Sequence, residues 1–381
     1  MATVTQQLNV EKANQSLASL GEQTIPFGVI QNNLNHLPQP KPDSSLDIWA
    51  LANSPINTKL LVSYLQTYPN QTAAVALRNG LIYGFRLQYS GPRIPLFCNN
   101  LKSAIQHSEV LQDKILKEVS EGRMAGPFEQ LPLHNLHVSP IGVVPKADGG
   151  WRMITHLSYP PSNSINHNID PIHTSVKYTS FDTVVQTISK LGKGAQIAKA
   201  NIKTAFRLIR VHPADFELLR LYMNGNFYID KCLPFGCAIS CKIFELFSSF
   251  LEWLVTKKSG IETVHHYLDD FIFAGSALTN HCHVLMHSFQ TMCDELGIPL
   301  NQDKSVLPTT CLIFLGLEID TMSMQIRIPQ DKVHELVNLF FWVSKDKIQL
   351  APLQTLVGKL NFFLAKLFLA VGQSFVDSIM P

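Results

Sequence analysis

A chain of 381 residues that is 46% hydrophobic holds enough apolar mass for two or three domains, or for one elongated multi-lobed enzyme. Its 31 basic and 29 acidic residues leave a formal charge of only +2, which excludes a global basic field, so any surface for a polyanion has to be local. Seven cysteines, an odd number with no C-x-x-C spacing, exclude a disulfide framework and point to reduced thiols in an intracellular protein, cytoplasmic or nuclear.

Residues 1–45 are rich in Gln, Asn, Ser and Pro and read as a disordered arm. No basic segment followed by an apolar core opens the chain, so secretion is not expected. Residues 46–125 read as a helical extension. Leu60, Leu61, Tyr64 and Leu65 have helical spacing, Ser90-Gly91-Pro92 breaks the pattern, and a further helix runs from about Asn100 to Glu121.

The pattern then changes to short strands. Val138–Lys146 and Trp151–Thr155 flank Ala147-Asp148-Gly149-Gly150, a hairpin that puts Lys146 and Arg152 near one tip. Two cations there suit a triphosphate clamp, with Arg offering a bidentate fork, although taken alone they read more readily as solvated turn charges. Ala195–Ile202 is expected to be a buried strand. A second hairpin, Leu218–Met223 with Phe227–Asp230, turns at Asn224-Gly225-Asn226. Leu233-Pro234-Phe235-Gly236 breaks the chain before a helix from about Ser240 to Lys257, whose Ile243, Phe244, Phe247, Leu251 and Leu254 form a stripe for core packing.

Two adjacent carboxylates follow, Asp269-Asp270, between apolar runs. Consecutive strand residues face opposite sides, so a tight hairpin between Val264–Leu268 and Phe271–Ala274 is needed for both to project from one tip. Grouped carboxylates repel and are usually held ionised by a divalent cation, whereas a bare Asp-Asp is more often a polar turn. Asn280 is expected to cap a helix carrying Leu285, Phe289, Met292 and Leu296 and ended by Gly297. On that helix His281, Cys282 and His283 face different ways, which argues against a metal set. Leu312–Ile319 reads as one strand, and helices at about Gln330–Ser344 and Pro352–Ala370 close the chain. The apolar run Leu360–Val371 is interrupted by Lys366 and too short to span a bilayer, so no membrane is expected. From Ala195 onward the element order suggests a split β-α-β sheet with helices on one face.

Five segments then form a pattern: Lys146 with Trp151-Arg152 after Ser139-Pro140, Asn201-x-Lys203-x-Ala205-Phe206, Leu233-Pro234-Phe235-Gly236, Tyr267-Leu268-Asp269-Asp270, and Phe314-Leu315-Gly316-Leu317-Glu318. In this order they resemble the fingers, palm and primer-grip blocks of reverse transcriptases. Gly122-Arg123-Met124-Ala125-Gly126-Pro127-Phe128, Lys231-Cys232-Leu233-Pro234 and Leu353-Gln354-x-Leu356-x-Gly358-x-Leu360-Asn361-Phe362 are similar to the polymerase of DIRS-type (tyrosine-recombinase) retroelements. The resemblance spans about Tyr89 to Phe363.

It implies an α+β fold of right-hand polymerase architecture, with fingers at 126–192 and 212–240, a ferredoxin-like palm at 193–211 and 241–324, and a partial helical thumb at 325–381. It implies template-directed transfer of a dNTP to a primer 3′ hydroxyl by two-metal catalysis, with an RNA or DNA template, its primer and dNTPs as partners. Two Mg²⁺ ions are expected in an active family member, Asp269 bridging both and Asp270 adding charge. The third aspartate of the pattern falls on Asn201, a neutral and weaker ligand. The resemblance places Lys146, Arg152, Phe206, Phe235 and Gly236 at the dNTP, and Phe314, Leu315 and Gly316 in the primer grip. Lys304 reads either as a general acid for the pyrophosphate or as a solvated lysine, and Phe206 either as a sugar contact or as core. Lys332, Lys345, Lys347 and Lys359 are available to phosphates. No ribonuclease H segment is expected. The expectation is a retained fold with nucleotidyl transfer impaired at Asn201, or alternatively an inactive remnant that binds primer and template.

Overall fold

The computed structural model describes residues 48–130, 137–146, 149–343, 350, 353–361 and 363. It begins with helices α1 (Thr58–Leu65) and α2 (Gln71–Tyr83), strand β1 (Leu96–Phe97), helices α3 (Lys102–Gln106) and α4 (Ser108–Ser120), and strands β2 (Met124–Phe128) and β3 (His137–Val138). Strands β4 (Ile141–Pro145) and β5 (Trp151–Thr155), helices α5 (Pro171–Thr174) and α6 (Phe181–Leu191), and strands β6 (Gln196–Asn201), β7 (Arg220–Met223) and β8 (Asn226–Asp230) follow. Then come helix α7 (Ser240–Ser259), strands β9 (Val264–Tyr267) and β10 (Asp270–Gly275), and helix α8 (His281–Leu296). Strands β11 (Val306–Thr309), β12 (Cys311–Phe314), β13 (Leu317–Asp320) and β14 (Gln325–Arg327) precede helix α9 (Gln330–Val343). The chain divides into two compact units, one with residues 177–203 and those from 248 onward, the other with the residues up to 176 and 204–247.

The first unit is built on a four-stranded antiparallel sheet in the order β11-β6-β10-β9. Every residue of β10 after Asp270 is buried, so its two faces must both be covered. Phe271 and Phe273 meet Phe289 of α8 at ring distances of 4.5 and 5.3 Å. The alternate residues Ile272 and Ala274 join a core with Phe181, Val184 and Ile188 of α6 and with Leu312, Phe314, Leu317 and Ile319. Helices on one face alone, as the element order suggested, would leave one of these apolar rows in water. Helix α6 starts at Ser180, whose hydroxyl accepts from Thr183 N, and ends at Gly192 with φ +83°.

Leu312–Ile319 is not one strand. It folds into β12 and β13 through Leu315 and Gly316, at φ +47° and +83°. In a continuous strand Leu312 and Phe314 would face away from Leu317 and Ile319; the two-residue turn pairs Leu312 with Ile319 and Phe314 with Leu317, so all four enter one core. Asn280 occupies the cap position of α8 but its side chain makes no capping bond, whereas Gly297 ends the helix at φ +68° as expected.

The second unit holds a five-stranded sheet, β1-β3-β7-β8-β2, and the separate β4–β5 hairpin. Its core includes Leu111 and Ile115 of α4, Ile141 and Val143 of β4, and Leu221 and Tyr228 of the β7–β8 pair. The expected helix over 100–121 is two helices, because the backbone leaves the helical region at His107 (φ −128°, ψ 44°), whose ring lies 4.1 Å from Trp151. Val138 belongs to the large sheet and not to the β4–β5 hairpin, Ser139 and Pro140 separating the two. Leu218 lies in a 3-10 turn before β7. The stripe of α7 is buried as expected, with Phe244, Phe247 and Leu251 each 0% exposed.

The expected arm over 1–45, Ala147 and Asp148 of the first hairpin turn, Lys345 and Lys347, and most of the apolar run Leu360–Val371 lie outside the described residues. Among the described residues no helix is long and apolar enough to cross a membrane.

Candidate active site

The two aspartates are set by the β9–β10 hairpin of the first unit. Tyr267 and Asp270 close the ladder, leaving Leu268 and Asp269 as the two turn residues, so Asp270 opens β10 and only Asp269 sits in the turn. Leu268 takes φ +52°, a strained value for a branched side chain, and this turns the chain tightly enough for both carboxylates to face the same way. Ile202 N donates to the Asp269 carbonyl at 2.9 Å, which ties the turn to the end of β6.

Asn201 pairs directly with Asp270 across the β6–β10 ladder and is 4% exposed. Its Nδ2 donates to Asp269 Oδ2 at 2.9 Å and to Asp270 Oδ1 at 2.6 Å. An ionised carboxylate only accepts, so the amide must turn its NH₂ toward the pair, and its two hydrogens serve one carboxylate each. Burial and the neighbouring Asp270 charge push the Asp269 carboxyl above its ordinary value, against smaller opposing effects of the Asn201 amide and Lys304. Lys304 is exposed on the 3-10 turn Gln302–Lys304, which a bond from Asn301 N to Asn201 O at 2.8 Å holds beside β6.

The flanking histidines do not neutralise the pair. His265 Nε2 is 2.8 Å from the Thr187 hydroxyl, and His266 Nδ1 bonds Glu252. Among the described residues no group of three His, Cys, Asp or Glu could hold a metal ion. The donor set does not fit a pair of divalent cations. Two carboxylates face four positive charges, and the amide hydrogens already occupy the space between the carboxylate oxygens.

Asp215, another acid in sequence reach of this strand, is no substitute. It belongs to the second unit, where its fully buried carboxylate takes bonds from Arg86 at 2.9 and 3.0 Å, from Arg93 at 2.7 Å and from Leu87 N at 2.8 Å.

On the β12–β13 hairpin Phe314 is buried, and Leu315 and Gly316 form the turn. Lys199 Nζ donates to the Ile313 carbonyl at 2.9 Å. This lysine, two residues before Asn201 on β6, ties the hairpin to the sheet, and no sequence signal marked it.

The residues expected at a dNTP all belong to the second unit. Lys146 and Arg152 are exposed on the β4–β5 hairpin, where Arg152 pairs with Val144. Phe206 is half-buried, 5.3 Å from Phe235 and edge-on to Phe244 at 5.4 Å, so one side is packed on core and the other is open. Phe235 is 40% exposed. Gly236 takes φ +90°, and a Cβ there would stand 3.4 Å from the Thr155 carbonyl. Asn166, which sequence reasoning missed, clamps this loop: its Nδ2 donates to Gly236 O and its Oδ1 accepts from Ala238 N, both at 2.8 Å. The run Asn163-Ser164-Ile165-Asn166 was the available signal, an amide in a loop able to bond backbone on both sides.

Residues 144–319 match the family model described as reverse transcriptase (RNA-dependent DNA polymerase). Protein P of duck hepatitis B virus (strain China) is 28% identical over 169 residues, which are 43% of this chain and 21% of that protein. The Tf2-7 transposon polyprotein of Schizosaccharomyces pombe is 23% identical over 203 residues, 53% of this chain and 14% of the polyprotein. The chain therefore spans a small part of the curated relatives it matches. Among solved structures, the foamy viral protease-reverse transcriptase dRH in complex with double-stranded DNA superposes with a TM-score of 0.55 at 17% identity, covering 87% of this chain and 55% of that one. The foamy viral protein with an RNA/DNA hybrid gives 0.54 at 16%, covering 87% and 42%. The α+β right-hand polymerase architecture is shared with these, and residues 144–319 are accordingly a reverse transcriptase domain.

Proposed function

We propose that this chain is a primer–template-binding reverse transcriptase domain in which nucleotidyl transfer is crippled by Asn201. The observation that carries the reading is the amide lodged between Asp269 and Asp270, bonded to both. Template-directed transfer from a dNTP needs anionic oxygens to hold two Mg²⁺ ions, and this site has one negative charge fewer than the family pattern. A single electrostatic catalytic contact contributes about 3–4 kcal/mol, so the loss is at least ~10²–10³-fold in rate.

In this reading the unit around β6, β9 and β10 supplies the palm and the start of a partial thumb, and 126–192 with 212–240 supply the fingers. Lys146 and Arg152 receive the triphosphate, Phe206, Phe235 and Gly236 floor the nucleotide, and Phe314, Leu315 and Gly316 grip the primer, with Lys304 near the departing pyrophosphate. Nucleic-acid binding is supported by the foamy viral neighbours, whose structures hold double-stranded DNA and an RNA/DNA hybrid. A DIRS-type origin is supported by the Gly122–Phe128, Lys231–Pro234 and Leu353–Phe362 segments, and an intracellular setting by an odd number of cysteines, seven, with no C-x-x-C spacing.

Primer extension on an RNA template with Mg²⁺ or Mn²⁺, comparing the natural chain with Asn201→Asp, tests this. The restored variant is expected to extend at least ~10²-fold faster; equal rates would overturn the reading. A salt-sensitive shift of primer–template duplex by the natural chain, without extension, is the companion result expected.

A further inference from the structure

We infer that the Asn201 amide acts as a built-in replacement for a cation, so that the acidic turn of this chain is complete and stable without any divalent metal. The inference rests on the reading of Asn201 as the altered member of the acidic set and extends it from lost catalysis to metal independence.

Three features of the site argue for it. Asp269 and Asp270 are both only partly exposed and held to one side by a two-residue turn, so their mutual repulsion is poorly screened by water. In a site left empty, such a pair would push the turn apart. Here the Asn201 NH₂ sits between them at 2.9 and 2.6 Å, each hydrogen directed to a different carboxylate. Its position is fixed from behind, because Asn201 O accepts from Asn301 N at 2.8 Å and the next residue's N–H is tied to Asp269 O. A cation binding both carboxylates must first break two charge-assisted hydrogen bonds and displace an amide that is 4% exposed and locked in a strand. The same bonds that stabilise the metal-free turn therefore oppose metal binding.

An aspartate at 201 reverses both effects. Three carboxylates then crowd one end of the sheet, and no hydrogen remains between them to relieve the repulsion. The turn of that variant needs a cation for stability, and binds one more tightly because ligand charge sets affinity for hard divalent ions.

The test uses the full chain without nucleic acid or dNTP: thermal melting in EDTA and in millimolar Mg²⁺, and a Mn²⁺ titration followed by the paramagnetic resonance of free Mn²⁺. The natural chain is expected to melt at the same temperature with chelator or Mg²⁺. Asn201→Asp is expected to melt about 2–8 °C lower in EDTA, to recover in Mg²⁺, and to bind Mn²⁺ at least ~10-fold more tightly. Should Asn201→Asp fail to fold in chelator, folding restored by Mg²⁺ counts for the inference. The double variant Asn201→Asp/Asp270→Asn, which returns the charge count to two and an amide to the cluster, is expected to regain most of the lost melting temperature in EDTA. The inference is overturned if the natural chain is stabilised by Mg²⁺ as much as Asn201→Asp, if both bind Mn²⁺ equally, or if Asn201→Asp is unchanged in EDTA. These readouts do not depend on extension, so a natural chain that extends a primer as fast as Asn201→Asp overturns the functional reading alone, and one that takes up Mn²⁺ as readily as Asn201→Asp overturns this inference alone.

Discussion

Asn201 and Asp215 are polar side chains withdrawn from water, and each is stable because of what bonds it. Asn201 supplies hydrogens to two anions; Asp215 is an anion supplied with hydrogens by Arg86, Arg93 and Leu87 N. Burial raises the Asp215 carboxyl, but the two guanidiniums and the backbone bond outweigh it, and the net value lies below the ordinary range. A carboxyl lowered in the folded state stabilises the fold above its unfolded value of about 3.9 and loses that contribution as pH falls through the folded value. Asp215→Asn is therefore expected to be destabilised by about 3 kcal/mol at pH 7 in urea unfolding, with the gap to the natural chain closing toward pH 3. The presence of both residues was legible in the sequence. The resemblance put Asn201 in one set with the Asp269-Asp270 pair, but that its amide bonds both carboxylates depends on the β6–β10 register.

At the scale of elements, the hairpins show where local chemistry suffices. Asn224 and Gly225 both take positive φ, +49° and +83°, the turn that Asn-Gly favours, and the β7–β8 hairpin could be read from that dipeptide. A Cβ on Gly225 would meet nothing within 4 Å, so Gly225→Ala carries only a conformational cost. It is expected to destabilise the protein by about 1 kcal/mol, read as a shift in the urea midpoint at unchanged slope. Leu315-Gly316 makes the corresponding turn with a residue that ordinarily avoids positive φ. Its sequence reads as a strand, and the turn forms because folding back buries Leu312, Phe314, Leu317 and Ile319 together. Burying such side chains contributes about 1.5–3 kcal/mol each, more than the strain at one residue. The Leu268-Asp269 turn is a similar case, with Leu268 held at φ +52°.

For the whole molecule the near-neutral charge of +2 puts any nucleic-acid affinity in local surfaces. Two lysines expected to be available for phosphate contacts are already engaged: Lys332 and Lys359 both pair with Glu335, although Lys332 is largely exposed and that pair is worth little in water. Glu335→Gln should release Lys359 and leave Lys332 only its weak, exposed pair with Asp331 at 3.6 Å. Duplex binding measured by fluorescence anisotropy across a salt series is expected to tighten at low salt, and the slope of log K against log salt to steepen by about 1–2, one phosphate contact per freed lysine.

By itself the sequence determined the β6 strand, the β9–β10 hairpin, the apolar stripe of α7, the Asn-Gly hairpin and the identity of the residues that resemble polymerase blocks. These follow from short-range rules: period, turn chemistry and side-chain type. Only the tertiary structure decided that β10 is buried on both faces, that Leu312–Ile319 folds back on itself, and that the neutral side chain on β6 comes within hydrogen-bonding distance of both aspartates. Those outcomes depend on strand register and on which apolar rows share a core, and neither is encoded within any one segment.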